Sequence, residues 1–235
     1  MYLVGTRLLT PFSNRGNLTN HGFRENSRAD HRYKTLIIST TNLTTPGANR
    51  GIGYETAKNL LLHSAKYHIL LGSRSLSRGA SAASDLQSTP KVLGTVIPLQ
   101  LDITSDDSIN AAFEFIKTAY GHLDILVLNA GIFGLPPGTV DASTIRSNFT
   151  TILSTNVISA LVMTETFLSL LKNSKSLSPP RTPRIVFVSS SVGSLSQAAD
   201  PESKYHHPGA SEYRASKAAL NMLMVQYWVR LKGEG

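Results

Sequence analysis

The chain has 235 residues, 41% of them apolar, which is enough for one α/β domain with a sizeable core. It has no cysteine, so disulfides, thiolate metal sites and cysteine nucleophiles are excluded, and an intracellular, cytoplasmic setting is expected. The formal net charge is +8, and half of that excess lies in the head, residues 1–34.

That head carries Arg7, Arg15, Arg24, Arg28, Arg32 and Lys34 against only Glu25 and Asp30. Residues 1–33 read as a basic, disordered extension. Arg and Ser with few acids also suit a mitochondrial transit peptide, but Gly5, Pro11, Gly16 and Gly22 interrupt any amphipathic helix. The basic excess is too diffuse to argue for nucleic acid. No continuous apolar run approaches ~18 residues, so no membrane span is expected.

From Lys34 onward, short apolar runs alternate with helical patterns in what reads as a single domain, residues 34–235. The strands are expected at Thr35–Ile38, His68–Leu71, Thr95–Leu99, Ile125–Leu128 and Ile185–Val188. Helices are expected at Tyr54–His63, Ser75–Gln87, Asp106–Tyr120, Thr144–Leu171 and Glu212–Leu231. In the last helix Leu220, Leu223, Met224, Tyr227, Trp228 and Leu231 follow the rhythm of one buried face. Two loops stand out. Leu177–Arg184 reads as a proline-rich surface connection, and Gln197–Ser211 is long and polar.

The first specific signal is the turn Gly47-Ala48-Asn49-Arg50-Gly51-Ile52-Gly53, which runs into a helical pattern. Glycines at this spacing let backbone approach a pyrophosphate, and the helix N-terminus adds free N–H groups and positive dipole. About 20 residues on, an acid would grip the ribose of NAD. The stretch there is Gly72-Ser73-Arg74, with no acid. Arg74 and Arg50 instead suit the 2′-phosphate of NADP. Asp102, after the third strand, is placed to accept from the adenine amino group, or else to cap the next helix. Asn129, after the fourth, either lines the same cleft or serves the turn.

Tyr213 and Lys217 stand four apart in a helical pattern, hence on one face. An ammonium beside a phenol favours the phenolate, so the pair is expected to bring the tyrosine toward neutral pH and move a proton to or from a carbonyl oxygen. Either residue alone is as easily a surface residue.

The glycine turn, Asn129-Ala130-Gly131, Asn156 in "STNVISA", "VFVSSS" and "YRASK", in that order, resemble the short-chain dehydrogenase/reductase family, in its carbonyl-reductase-like branch. The resemblance covers Lys34 to Leu231 with gaps. It implies a Rossmann-type α/β fold, a doubly wound parallel sheet with helices on both faces. It implies an oxidoreductase passing hydride between NADP and a small carbonyl or secondary alcohol, with a homo-oligomer compatible. Carried over, Tyr213 is the general acid/base and Lys217 tunes it and holds the nicotinamide ribose. Ser190 polarises the substrate oxygen, although alignment by the downstream Gly-Ser-Leu would select Ser191. Asn156 holds a water of the proton relay, or is a polar residue at a helix kink. Gly47, Arg50, Gly51, Ile52, Gly53, Arg74, Asp102 and Asn129, with Tyr213 and Lys217, form the cofactor site.

Two departures from the family pattern are visible. Residues 41–46, ending in Pro46, intervene between the first strand and Gly47. Proline fixes φ and lacks an N–H, so this detour is expected to weaken cofactor binding. The chain also stops where the family adds further strands, so the fifth strand is expected to be an edge and helix faces to lose cover. A second reading is therefore a non-catalytic nucleotide-binding or scaffold protein of the same family.

Overall fold

A computed structural model describes residues 34–39, 51–134 and 141–232. Five parallel strands form one sheet: β1 (Lys34–Ser39), β2 (Tyr67–Ser73), β3 (Thr95–Gln100), β4 (Ile125–Leu128) and β5 (Arg184–Phe187). Their order is β3-β2-β1-β4-β5, with every neighbouring pair parallel. The α/β expectation therefore holds, in a doubly wound, Rossmann-type sheet with fewer strands than the family typically carries. Beyond Phe187 the described residues give β5 no second neighbour, so it is an edge. β3 is the other edge, which is why Pro98 is tolerated within it.

The helices are α1 (Ile52–His63), α2 (Leu76–Gln87), α3 (Asp106–Ala119), α4 (Ala142–Leu153), α5 (Ser159–Lys175), α6 (Leu195–Ala199) and α7 (Ser211–Leu231). Alternation along the strands sorts the core into two layers. Ile37, Leu70, Leu99, Leu126, Leu128 and Phe187 face α3, α5 and α7, with Phe167 of α5 fully buried at the centre. Ile69, Leu71, Val96 and Val127 face the other way, onto Ala57 and Leu61 of α1 and Ala82, Ala83 and Leu86 of α2. Ser75 caps α2 by accepting from the Arg78 N–H, and Ser105 caps α3 from Ser108.

Four features differ from the expectations. The single helix expected at Thr144–Leu171 is two helices joined by a π-helical turn at Ser154–Ile158. By length and composition this rod, Ala142–Lys175, is apolar enough to cross a bilayer. Counting uninterrupted apolar runs missed this, because Ser and Thr interleave. In the fold its apolar side, Met163, Phe167, Leu170 and Leu171, is in the core. The buried face of α7 is real at Leu220 and Tyr227, but Trp228 is 45% exposed, with Met222, Val225 and Val229 also exposed. An apolar helix standing beside an edge strand has more apolar surface than cover. Finally, the proline-rich connection is not only surface: Arg181 reaches inward, donating to Asp124 Oδ2 at 2.7 Å.

That ion pair belongs to a buried cluster below β4. Asp124 also accepts from Ser174 Oγ at 2.5 Å, and His122 Nε2 lies 3.6 Å away. It sits at the amino end of β4, opposite the edge where ligands of such sheets bind.

Candidate active site

The carboxyl ends of β1 and β4 diverge: β1 connects toward β2 and β3, β4 toward β5. This is the switch point where open α/β sheets leave a crevice. Gly51 precedes α1 in extended backbone and supplies no side-chain cap, and a Cβ there would meet nothing within 4 Å. The N-terminus of α1, with its positive dipole end, is the kind of place where an anion binds. Ile52 is exposed beside them and Gly53 is buried. Gly47, Arg50 and residues 41–46 lie outside the described residues, so the detour before the turn has no structural account.

Arg74 follows β2 directly and is exposed, its carbonyl accepting from Gln100 Nε2 at 2.8 Å. Asp102 is not a helix cap, since Ser105 takes that role. Its Oδ1 accepts from the Thr104 N–H and hydroxyl at 2.9 and 2.7 Å, leaving Oδ2 for another donor. Asn129 follows β4 and is half-buried. These residues stand at successive strand ends on one edge of the sheet. The set fits a dinucleotide: N–H groups for phosphate, a guanidinium beyond β2 and a carboxylate oxygen beyond β3.

The α7 residues face this crevice. Lys217 is buried, and its Nζ donates to the Val188 carbonyl at 2.9 Å. Burial lowers its ammonium to about 8. The Nζ lies 5.6 Å from the centroid of the Tyr213 ring. Tyr213 is half-buried, and the Ser190 side chain is near enough to its phenol to influence its titration. Burial raises the Tyr213 pKa, and the Ser190 side chain pulls it the other way. The expected lowering by Lys217 is not seen, because the ammonium is turned to the Val188 carbonyl. Of the two candidate serines, Ser190 is the one beside Tyr213, whereas Ser191 lies by Tyr205.

Asn156 lies in the π-helical turn and is 1% exposed. Its Oδ1 accepts from the Ile132 N–H at 2.7 Å, and its Nδ2 donates to the Ile132 carbonyl and to Ser216 Oγ, both at 2.9 Å. Ser216 Oγ in turn donates to the Tyr213 carbonyl at 2.8 Å. The loop after β4, the π turn and the first turn of α7 are thus tied together at one buried side chain. A π turn is a frequent device for aiming a functional residue.

Three positions had been given no site role of their own from the sequence. A Cβ on Gly131 would stand 3.1 Å from Asn156 Oδ1 and 3.6 Å from Lys217 Nζ, so this glycine lets the loop approach both. A Cβ on Gly193 would fall 2.7 Å from the Lys217 carbonyl carbon and 2.9 Å from Ala218 N, so β5's following turn lies directly on α7. Phe133 stands 4.8 Å, centroid to centroid, from Tyr213 and is 65% exposed. A small residue two places after the serines was the readable hint for Gly193; Phe133 carried none.

A switch-point crevice edged by a Tyr–Lys helix and a serine turn defines a Rossmann-type oxidoreductase. The short chain dehydrogenase profile matches residues 43–235. Short-chain dehydrogenase anuI of Penicillium roqueforti (strain FM164) is 35% identical over 203 residues, covering 86% of this chain and 74% of that one. The solved putative carbonyl reductase Sniffer of Caenorhabditis elegans is 27% identical, with TM-score 0.64, over 86% of this chain and 80% of that one. The RhlG/NADP active-site complex of Pseudomonas aeruginosa is 25% identical, with TM-score 0.63, over 86% of this chain and 68% of that one. The chain belongs to the short-chain dehydrogenase/reductase family, whose members are oxidoreductases using NAD(P).

Proposed function

We propose that the protein is an NADP-dependent oxidoreductase that reduces a small carbonyl compound or oxidises the corresponding secondary alcohol. The observation that carries this reading is the placing of Tyr213 beside Ser190, with Lys217 buried on the same helix and its Nζ 5.6 Å from the tyrosine ring centroid. The bound nicotinamide supplies the hydride. Ser190 holds the substrate oxygen toward Tyr213. Tyr213 delivers the proton from its hydroxyl in the reduction direction, and its burial favours the protonated form. Lys217 is mostly charged at neutral pH, and its ammonium leaves the Val188 carbonyl for the nicotinamide ribose. Asn156 keeps the β4 loop and α7 in register through Ile132 and Ser216.

NADP is favoured over NAD by the exposed guanidinium of Arg74 and the absence of an acid at the end of β2. A cytoplasmic setting suits this cofactor chemistry. Self-association through the exposed apolar side of α7 would give that surface a cover. Fluorescence titration of NADPH and NADH tests the cofactor assignment. Arg74→Ala should weaken NADPH binding about 10-fold or more and leave NADH nearly unmoved, the worth of one charge-assisted hydrogen bond. Equal losses for both cofactors would remove the 2′-phosphate role. Failure of both cofactors to bind would leave the scaffold reading.

A further inference from the structure

The long polar stretch between α6 and α7 is tied down at several points. Ser203 Oγ accepts from the Tyr205 N–H at 3.2 Å, and the Ser203 carbonyl accepts from the His206 N–H at 2.9 Å. His206 Nδ1 lies 2.9 Å from the Ala198 carbonyl of α6. From the other side, Arg214 in the first turn of α7 forks across two carbonyls of this loop. Its Nη2 donates to Tyr205 at 2.8 Å and its Nη1 to His207 at 3.3 Å. Two charge-assisted bonds from one planar group fix orientation as well as distance.

The backbone shows what this clamp works against. α7 starts without a side-chain cap, and Ala210 before it stands at φ 51°, with Gly209 at φ 111°. Alanine rarely adopts the left-handed region, and such a conformation persists only where its surroundings over-determine it. Arg214 supplies that hold from within the helix.

The loop also meets the turn Ser191–Gly193. The Tyr205 side chain lies by Ser191, with Lys204 Nζ 5.1 Å from its ring centroid. α6, which His206 touches, grows directly out of this turn through the Ser194 cap. The turn itself rests on α7, with Gly193 against Lys217 and its carbonyl accepting from Asn221 Nδ2 at 3.4 Å. The contacts therefore close a ring from α7 through Arg214, Tyr205 and Ser191 back to α7. Arg214 is the chain neighbour of Tyr213, and Ser191 that of Ser190.

We infer that Arg214 is a positioning residue for the reaction: through Tyr205 it holds the 203–207 loop on the serine turn and so sets the spacing of Ser190 and Tyr213. Neither Arg214 nor Tyr205 touches the reacting atoms. The effect on turnover rests on the oxidoreductase reading, whereas the clamp rests on the hydrogen bonds alone.

The test uses the full chain, Arg214→Leu, Tyr205→Ala and the double variant, with NADPH and a panel of aryl ketones. Each single variant should lower kcat about tenfold, since a small misplacement of reacting groups is costly, while the KM for NADPH stays within about twofold. The double variant should lose no more than the worse single one, because both cut the same chain of contacts. Parental kcat in either single variant, or losses that multiply to about 100-fold in the double, overturns the positioning role. Arg214→Lys, which keeps the charge but loses the fork, takes the place of Arg214→Leu should the latter not fold, with the same readings. If the parent reduces no ketone, the oxidoreductase reading fails, and hydrogen-exchange mass spectrometry decides the clamp alone. Arg214→Leu should then speed exchange about tenfold both in the loop at residues 205–207 and in the serine turn at residues 192–194. Faster exchange in the loop alone, or in neither, overturns it.

Discussion

Lys217 is 5% exposed, and burial brings its ammonium from 10.5 down to about 8. The fold thus disfavours the charged form relative to the open chain. Between about pH 8 and 10.5 the unfolded chain holds this proton while the folded chain has released it. Stability therefore rises with pH across that window; the penalty is full below it and gone above it. With one pH unit worth ~1.4 kcal/mol in mid-window, moving from about pH 7.5 to about pH 9.5 should add about 2 kcal/mol to the unfolding free energy. Urea denaturation at the two pH values measures it. Lys217→Met serves as the reference, since it keeps an unbranched apolar stem and removes the titrating group. It should lack the rise and exceed the parent in stability at the lower pH. Staying below pH 10 keeps Tyr213 and Tyr227 silent, because burial raises both. Equal pH slopes in parent and variant would refute the claim that the fold holds a desolvated ammonium beside the tyrosine.

Two further substitutions probe the frame around the site. Gly193→Ala places a Cβ 2.8 Å from Lys217 Cβ and against helix backbone that cannot yield, so it should cost about 1–3 kcal/mol and lower turnover together. Unchanged urea stability would contradict that packing. Asp124→Ala strands Arg181 and Ser174 at the opposite end of β4, and should cost about 3–5 kcal/mol while leaving cofactor affinity per folded molecule unaltered. Thermal unfolding and nucleotide titration separate the two effects.

Much of the fold was legible because periodicity and strand ends carry strong local signals. β4 lies at Ile125–Leu128 as expected, and β5 is one residue earlier than Ile185–Val188. The starts of α2 and α3 were legible to within a residue, but the cap of α3 is Ser105 and not Asp102, the candidate that the sequence offered. A kink at Asn156 was one reading of the sequence, but the π-helical turn at Ser154–Ile158 was not legible, since one extra residue in a turn leaves hydrophobic periodicity nearly intact. Trp228 misled because the helical rhythm reports which residues share a face, not whether a neighbour covers it. Arg181 and Gln197 were hidden for a similar reason. Polar residues in a stretch that reads as loop look solvated, and only the fold shows that Arg181 neutralises Asp124 and that Gln197 Oε1 is buried. At the site, spacing placed Tyr213 and Lys217 on one face, but the Lys217–Val188 hydrogen bond depends on contacts 29 residues apart.

The central claim is that Tyr213 is the proton donor of a working oxidoreductase. Tyr213→Phe removes the phenolic hydroxyl beside Ser190 while keeping the ring against Phe133. Following NADPH consumption at 340 nm with a ketone panel, in parallel with NADPH titration, tests the claim most directly. The account predicts a kcat lower by about 100-fold or more, the usual worth of a positioned acid, with NADPH affinity within about twofold of the parent. A variant that turns over at the parent's rate, with the cofactor equally bound, would contradict it.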